Sequence, residues 1–144
     1  MKIACGTDII EIDRIKKSIE GKEKKFISSI FTEKEIKYCE TKKNKKYQHY
    51  AARFAAKEAI FKALSTKLEK PKIGFLTGNV TWRDFEILND KNGRPVVTLN
   101  CEIPELEEID VSMSHCEQFA IANVIVIYKD WWRKKDAFWY TCTL

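Results

Sequence analysis

The 144-residue chain contains no glycine loop of the kind that cradles phosphate; neither the GxxxxGKS/T nor the GxGxxG string occurs in it. It has no CxxC pair. Its five cysteines, Cys5, Cys39, Cys101, Cys116 and Cys142, are odd in number and irregularly spaced. It has only two histidines, and with the cysteines they lack the spacing of a zinc site. No apolar segment follows a charged start; Met1-Lys-Ile-Ala reads as the opening of a strand. The longest apolar run, Phe119 to Tyr128, is about half of what a membrane span requires. Together these absences predict a cytoplasmic protein with free thiols and no membrane segment. There is no internal repeat and no domain linker.

What is present suits one folded domain: 44% apolar and 33% charged residues, with a net charge of +5. The charge is uneven. Arg14 to Lys25 holds six basic and two acidic residues, and Lys42 to Lys46 adds a second basic run. A localised basic face points to an acidic partner: nucleic acid, an anionic cofactor or an acidic protein. Nothing in these runs matches a nucleic-acid docking motif.

The predicted order is a strand, several helices, then antiparallel strands, an α+β pattern. Residues 2–12 read as a strand, with Gly6 at a close approach or bulge. Alternation puts Ala4, Gly6 and Asp8 on one face. Asp13 reads as the N-cap of a helix to Ile19. Lys24 to Phe31 is a second short helix or turn. Thr32 and Glu35 form a capping box that opens a third helix. Residues 47–65 form the longest helix, rich in alanine and free of glycine and proline. A loop with Pro71, Gly74 and Gly78 covers 69–79. Thr81 to Leu88 and Arg94 to Leu99 flank an Asn-Gly turn as a hairpin. Pro104 to Glu108 reads as an acidic turn or short helix, and residues 109–115 as a strand. The apolar Phe119 to Ile127 reads as a central strand. Residues 1–128 form the domain. Residues 129–144 form an aromatic extension with Trp131, Trp132, Phe138, Trp139 and Tyr140, expected to pack on the domain or a neighbouring subunit.

The long helix carries the candidate chemistry. Ala52, Ala56, Ala59 and Ala63 make a flank that permits close approach, and Arg53 and Lys57 share another flank. Glu58 and Lys62 stand one turn apart, which is also the spacing of an ordinary surface ion pair. If the first strand crosses this helix, Asp8 and Glu58 face one point. Two carboxylates without histidine or thiolate suit Mg²⁺. Lys62, with Arg53 and Lys57, would then offer positive charge to a phosphorylated ligand. Ser114 and His115 are neighbours on a strand and face opposite ways, which argues against a nucleophile–base dyad.

Four stretches carry a resemblance: Gly6-Thr-Asp8-Ile-Ile-Glu-Ile-Asp-Arg14-Ile, Phe31-Thr-Glu-Lys-Glu-Ile, Arg53-Phe-Ala-Ala-Lys-Glu58-Ala-Ile-Phe-Lys62-Ala, and Val111-Ser-Met-Ser-His115 with Ala120-Ile-Ala122. In order and spacing they resemble the holo-acyl-carrier-protein synthases, small bacterial-type 4′-phosphopantetheinyl transferases, from residue 2 to about 127. The resemblance implies that fold, an antiparallel sheet packed on a long central helix. It implies Mg²⁺ on Asp8 and Glu58, holding the pyrophosphate of the co-substrate coenzyme A. Lys62 would lie beside the reacting phosphate, and Arg53 and His115 near the coenzyme A phosphates. Glu58, Lys62 and His115 are thus the implied catalytic residues. The Asn92-Gly93-Arg94-Pro95 turn would border the adenine. Arg14, Lys17, Lys25 and Phe26 would receive an acidic helix of the acyl carrier protein. Phosphopantetheine would pass to a carrier serine for fatty acid biosynthesis, releasing adenosine 3′,5′-bisphosphate. Either Glu58 or a metal-bound water would take the serine proton. The family is typically a homotrimer with active sites between subunits. Ser65-Thr66-Lys67 stands where the family commonly has a glycine turn, and the loop to Asn79 is longer. A nucleic-acid-binding module and a non-catalytic carrier-binding relative are the alternatives; the second requires a lost metal ligand, and both acids are present.

Overall fold

A computed structural model of the chain describes residues 1–21, 23–65 and 80–129, with only the backbone of Glu23 and Lys24. The 69–79 loop, Thr66-Lys67 and the extension beyond Lys129 lie outside the described residues. Among the described residues, five strands and four α-helices follow in the order β1 (Lys2–Glu11), α1 (Ile12–Gly21), α2 (Glu23–Ile30), α3 (Glu33–Glu40), α4 (Lys46–Leu64), β2 (Phe85–Asn89), β3 (Pro95–Leu99), β4 (Leu106–His115) and β5 (Phe119–Tyr128). The fold is α+β, as expected.

β5 lies between β1 and β4 in an antiparallel sheet. Its alternate residues Ala120, Ala122, Val124, Val126 and Tyr128 are all buried. On β1 the inward set is Ala4, Gly6, Asp8 and Ile10, as period-2 alternation requires. α4 packs across this face. The alanine flank permits that approach, and Gly6 completes it. A Cβ on Gly6 would collide with the Ala59 carbonyl and lie 2.8 Å from the Ala63 nitrogen. Side-chain bulk is excluded there on both partners.

β2 and β3 form a separate two-stranded sheet. Their turn is fixed by Asp90, whose side chain accepts from the Asn92 and Arg94 amides at 2.8 and 2.9 Å. Gly93 has φ +83°, the left-handed conformation that favours glycine. The capping box of α3 is present, with Thr32 and Glu35 bonded to each other's backbone amides.

Three local expectations need correction, the first being that Leu106–Glu108, read as part of an acidic turn or short helix, is strand and opens β4 against β5. Asp13 is inside α1 rather than its N-cap. The helix starts at Ile12 because the Ile12 amide donates to the Gln118 carbonyl at 2.9 Å, a partner far along the chain. Asp13 instead pairs with Lys17 at 2.7 Å. Thr81 to Asp84 is not strand. It forms a capped 3₁₀ turn, Trp82–Asp84, closed by Thr81 and Asp84. The alternation Thr-Trp-Arg-Asp resembles a strand, but the turn buries the Trp82 ring against Phe54 and Phe61. Elsewhere, Lys43–Lys45 is a 3₁₀ turn within the expected basic loop.

Candidate active site

α4 passes between the two sheets and is buried on nearly all sides. Its polar residues therefore emerge at particular places. Glu58 is half-buried and Lys62 is exposed on the side facing β1. The close packing at Gly6 brings Asp8 to the same place. Lys62 Nζ donates to Asp8 Oδ1 and to the Thr7 carbonyl, both at 2.8 Å. Lys62 is thus paired with Asp8, not with Glu58 as ordinary i,i+4 spacing allows. Burial pushes the Glu58 carboxyl above its ordinary pKa, the negative charge of Asp8 adds to this, and Lys62 partly offsets both. Among the described residues no group donates a hydrogen bond to Glu58.

The donor set fits a hard divalent cation. Asp8 and Glu58 line one cavity and their charges oppose each other, Glu58 has no donor among the described residues, and both offer oxygen ligands. Among the described residues there is no cluster of three or more metal-ligating side chains. Mg²⁺ is bound by one or two carboxylates in many sites, its other positions going to water and phosphate, so a pair is sufficient.

Asp8 and Glu58 open on a cavity of about 1480 Å³, also lined by Arg14, Phe26, Phe54 and Trp82. Two of the expected partner residues, Arg14 and Phe26, thus share this cavity with the carboxylates. Lys17 lines a shallower groove beside it and is held by Asp13. Lys25 is exposed on α2.

The remaining expected residues form a second group. Arg53 is 1% exposed. Its Nε donates to the Ile87 carbonyl at 2.9 Å and its Nη2 to Asn89 Oδ1 at 2.8 Å, while the guanidinium lies 4.1 Å from the Tyr38 ring centre. His115 ends β4 and packs edge-on against His49, their ring centres 5.7 Å apart. His49 is in the first turns of α4, so Glu58 lies about 13 Å further along the axis. Within one chain, His115 is therefore not brought to Asp8 and Glu58, and Arg53 is turned toward β2. Asn92, Gly93, Arg94 and Pro95 sit at the hairpin tip, where Arg94 pairs with Asp110 at 2.8 Å on the surface. Lys57 departs from expectation. It is 0% exposed and cannot offer charge to a ligand. It faces α3 and β2, where Glu35 meets it at 2.9 Å.

Three residues of interest escaped the sequence reading. His49 stands one turn before Arg53, a spacing that could have flagged it. Burial, then Arg53, His115, Lys42 and Lys45, push its pKa down to about 4. Trp82 stacks on Phe54 at 5.5 Å in the cavity wall. Glu35 had shown only its capping role.

The family model of the 4′-phosphopantetheinyl transferase superfamily matches residues 4–124. A holo-[acyl-carrier-protein] synthase of Ruminiclostridium cellulolyticum is 43% identical over 141 residues, covering 94% of this chain and 99% of its own. A crystal structure of a holo-(acyl-carrier-protein) synthase from Bacillus anthracis, in complex with CoA (3′,5′-ADP), has a TM-score of 0.67 at 33% identity, covering 88% of this chain and 96% of that one. A Helicobacter pylori holo-[acyl-carrier-protein] synthase in complex with coenzyme A gives 0.67 at 29%, covering 85% and 99%. The chain belongs to the holo-[acyl-carrier-protein] synthase family of phosphopantetheinyl transferases. No helix among the described residues is long and apolar enough to cross a membrane.

Proposed function

We propose that the chain moves 4′-phosphopantetheine from coenzyme A to a serine of apo acyl carrier protein, with Mg²⁺, for fatty acid biosynthesis. The observation that carries this reading is that Asp8 and Glu58 line one large cavity, with Lys62 bonded to Asp8. Asp8 and Glu58 would hold Mg²⁺. Bound there, it supplies positive charge to the pyrophosphate of coenzyme A.

The chain's own groups do the rest. The serine oxygen forms a bond to the β-phosphorus, and the bond from that phosphorus to adenosine 3′,5′-bisphosphate breaks. Lys62, half-exposed, holds positive charge beside the transferred phosphoryl group. Either Glu58 or a metal-bound water would receive the serine proton; the raised pKa of Glu58 and its place in the cavity lining support the first. Positioning and charge account for most of the acceleration in phosphoryl transfer, so orientation of both substrates is the protein's main task. Arg14 and Phe26 at the cavity, with Lys17 and Lys25 outside it, suit the docking of an acidic carrier helix.

A homotrimer with shared sites is part of the same reading. Ile3, Ile9 and Ile125 are 56%, 61% and 52% exposed on the outer sheet face, and Phe119 is 40% exposed. A neighbouring subunit on that face would cover them, and it offers a way for His115 to serve a site whose carboxylates are elsewhere in the chain, whereas Arg53, 1% exposed, acts from within the fold. The free thiols Cys5, Cys39, Cys101 and Cys116 support a cytoplasmic setting.

The test is a mass measurement. The protein is mixed with apo acyl carrier protein, coenzyme A and Mg²⁺, and the carrier is weighed. A gain of one phosphopantetheine is expected. No gain with several carriers and folded protein would overturn the reading, and equal gain in the presence of a chelator would remove the metal from it.

A further inference from the structure

Glu35 has no place in the reaction just described, yet it is fully buried at the junction of three elements. Its Oε2 accepts from the Thr32 amide at 2.8 Å and from Lys57 Nζ at 2.9 Å. Its Oε1 accepts from the Ile87 amide at 2.9 Å. Lys57 Nζ also donates to the carbonyls of Trp82 and Phe85, at 2.8 and 2.6 Å. One turn earlier on α4, Arg53 donates to the Ile87 carbonyl and to Asn89 Oδ1. The Asn89 amide in turn donates to the Gly93 carbonyl at 2.6 Å.

These contacts share one logic. β2 pairs with β3 on one side only. Its other edge would leave backbone amides and carbonyls without partners inside the protein. Glu35, Lys57 and Arg53 occupy that edge and act as a third strand made of side chains. Buried ionic groups are an inefficient source of stability, because desolvation consumes much of the attraction. They do fix registry, since the contacts to the strand tie named atoms of α3 and α4 to named atoms of β2 and the turn before it. Here they fix two things. Trp82, held by its carbonyl, forms the cavity wall with Phe54. The hairpin tip, held through Asn89, carries the 92–95 turn.

We propose that Glu35 and Asn89 are positioning residues for coenzyme A: through Lys57 and Arg53 they hold Trp82 and the 92–95 turn in register with Asp8 and Glu58. This rests on the transferase reading above. Neither residue touches substrate in it, and the buried cations transmit their effect.

Two variants test it. Glu35→Asp keeps the charge and shortens the reach by one methylene, so a role in charge balance alone survives it. Asn89→Ala removes only the outermost link and leaves the buried pair intact. Each is compared with the unmodified protein in the transfer assay, with coenzyme A varied at saturating carrier. Calorimetric titration with coenzyme A and Mg²⁺, and amide hydrogen exchange, are run beside it. In both variants KM and Kd for coenzyme A rise about tenfold, while kcat stays within about threefold. Exchange over 85–99 accelerates while β1 and β5 keep their protection. The proposal is overturned if Kd for coenzyme A stays at the unmodified value in Asn89→Ala, or if kcat falls with KM unchanged. Should Glu35→Asp fail to fold, Asn89→Ala decides alone. Unmodified protein that binds coenzyme A but transfers nothing counts against the transferase reading. The calorimetric comparison still decides the positioning claim.

Discussion

Lys57 and Glu58 are adjacent in α4 and belong to opposite kinds of site. Lys57 is 0% exposed, and its three donors meet three acceptors in the core. Glu58 is half-buried, faces a second carboxylate and receives no donor among the described residues. The 100° step between consecutive helical residues turns one toward β2 and the other toward the cavity. Burial lowers the pKa of Lys57, and the charge of Glu35 and its hydrogen bond oppose that shift. At Glu58 burial and the neighbouring charge act in the same direction, both against the ionised form. A satisfied polar cluster holds the fold in register. A frustrated one has capacity left for a ligand. The two clusters use the same residue types, so it is the partners that separate structure from function here.

Breaking the frustrated side should cost activity and spare stability. Asp8→Ala or Glu58→Ala should each lower transfer by about 10³-fold or more, as expected when transition-state charge loses its support. Thermal unfolding should stay within about 2 °C of the unmodified protein, because neither carboxylate holds a structural partner apart from the half-exposed Lys62. Full activity in both variants would remove the metal assignment. Breaking the satisfied side should do the reverse first. Lys57→Met leaves Glu35 as an uncompensated buried charge and orphans the Trp82 and Phe85 carbonyls. A loss of about 3–5 kcal/mol in denaturant unfolding is expected. A loss below about 1 kcal/mol would mean that the cluster does not hold the edge of β2.

This contrast was only half legible in the sequence. Asp8 and Glu58 could be chosen from chemistry alone, since an acid among small residues on a strand has few structural uses. The packing that brings them together depended on Gly6 and the alanine flank, both visible as small residues at suitable spacing. The capping box at Thr32 and the Asn92-Gly93 turn were legible because their causes lie within four residues. The fate of Lys57 was not. Its partner Glu35 lies in another helix, and the carbonyls it reaches lie 25 and 28 residues further along the chain. The start of α1 was misplaced for the same reason, because Gln118 supplies the bond that a local cap would have made. Trp82 was misread because three residues of alternation do not distinguish a strand from a short capped turn.

Gly6→Ala sharpens the comparison from the side of packing. The added methyl meets the α4 backbone at Ala59 and Ala63, and backbone cannot turn aside as a side-chain end can. About 2–3 kcal/mol of stability should be lost as β1 lifts from α4. Asp8 moves with β1, so transfer should fall by more than the fraction of protein unfolded. Buried Glu35 and Lys57 do not contact β1, and amide exchange in β2 should keep its protection relative to global unfolding. Equal loosening of both regions would show that the two clusters are not mechanically separate.

The smallest expected effect concerns His49, at the far end of α4 from Glu58. Its folded pKa is about 4, depressed first by burial and then by Arg53, His115, Lys42 and Lys45. For an unfolded value near 6.5, the folded state resists protonation more than the unfolded chain does. The stabilising contribution is therefore complete above about pH 6.5 and is lost as pH falls toward 4. The full shift corresponds to about 3 kcal/mol, and partial exposure of the ring reduces this to about 1–2 kcal/mol. Denaturant unfolding of the unmodified protein and of His49→Gln at pH 7.5 and pH 5 isolates the term, because other carboxylates titrate equally in both. The difference in stability between the two proteins should shrink at the lower pH, in favour of the variant. A constant difference would mean that His49 takes its proton freely among the cations, and that an anion or solvent already relieves them. Since the Asp8–Glu58 cluster lies on another part of the helix, the metal dependence of transfer should be the same in His49→Gln as in the unmodified protein.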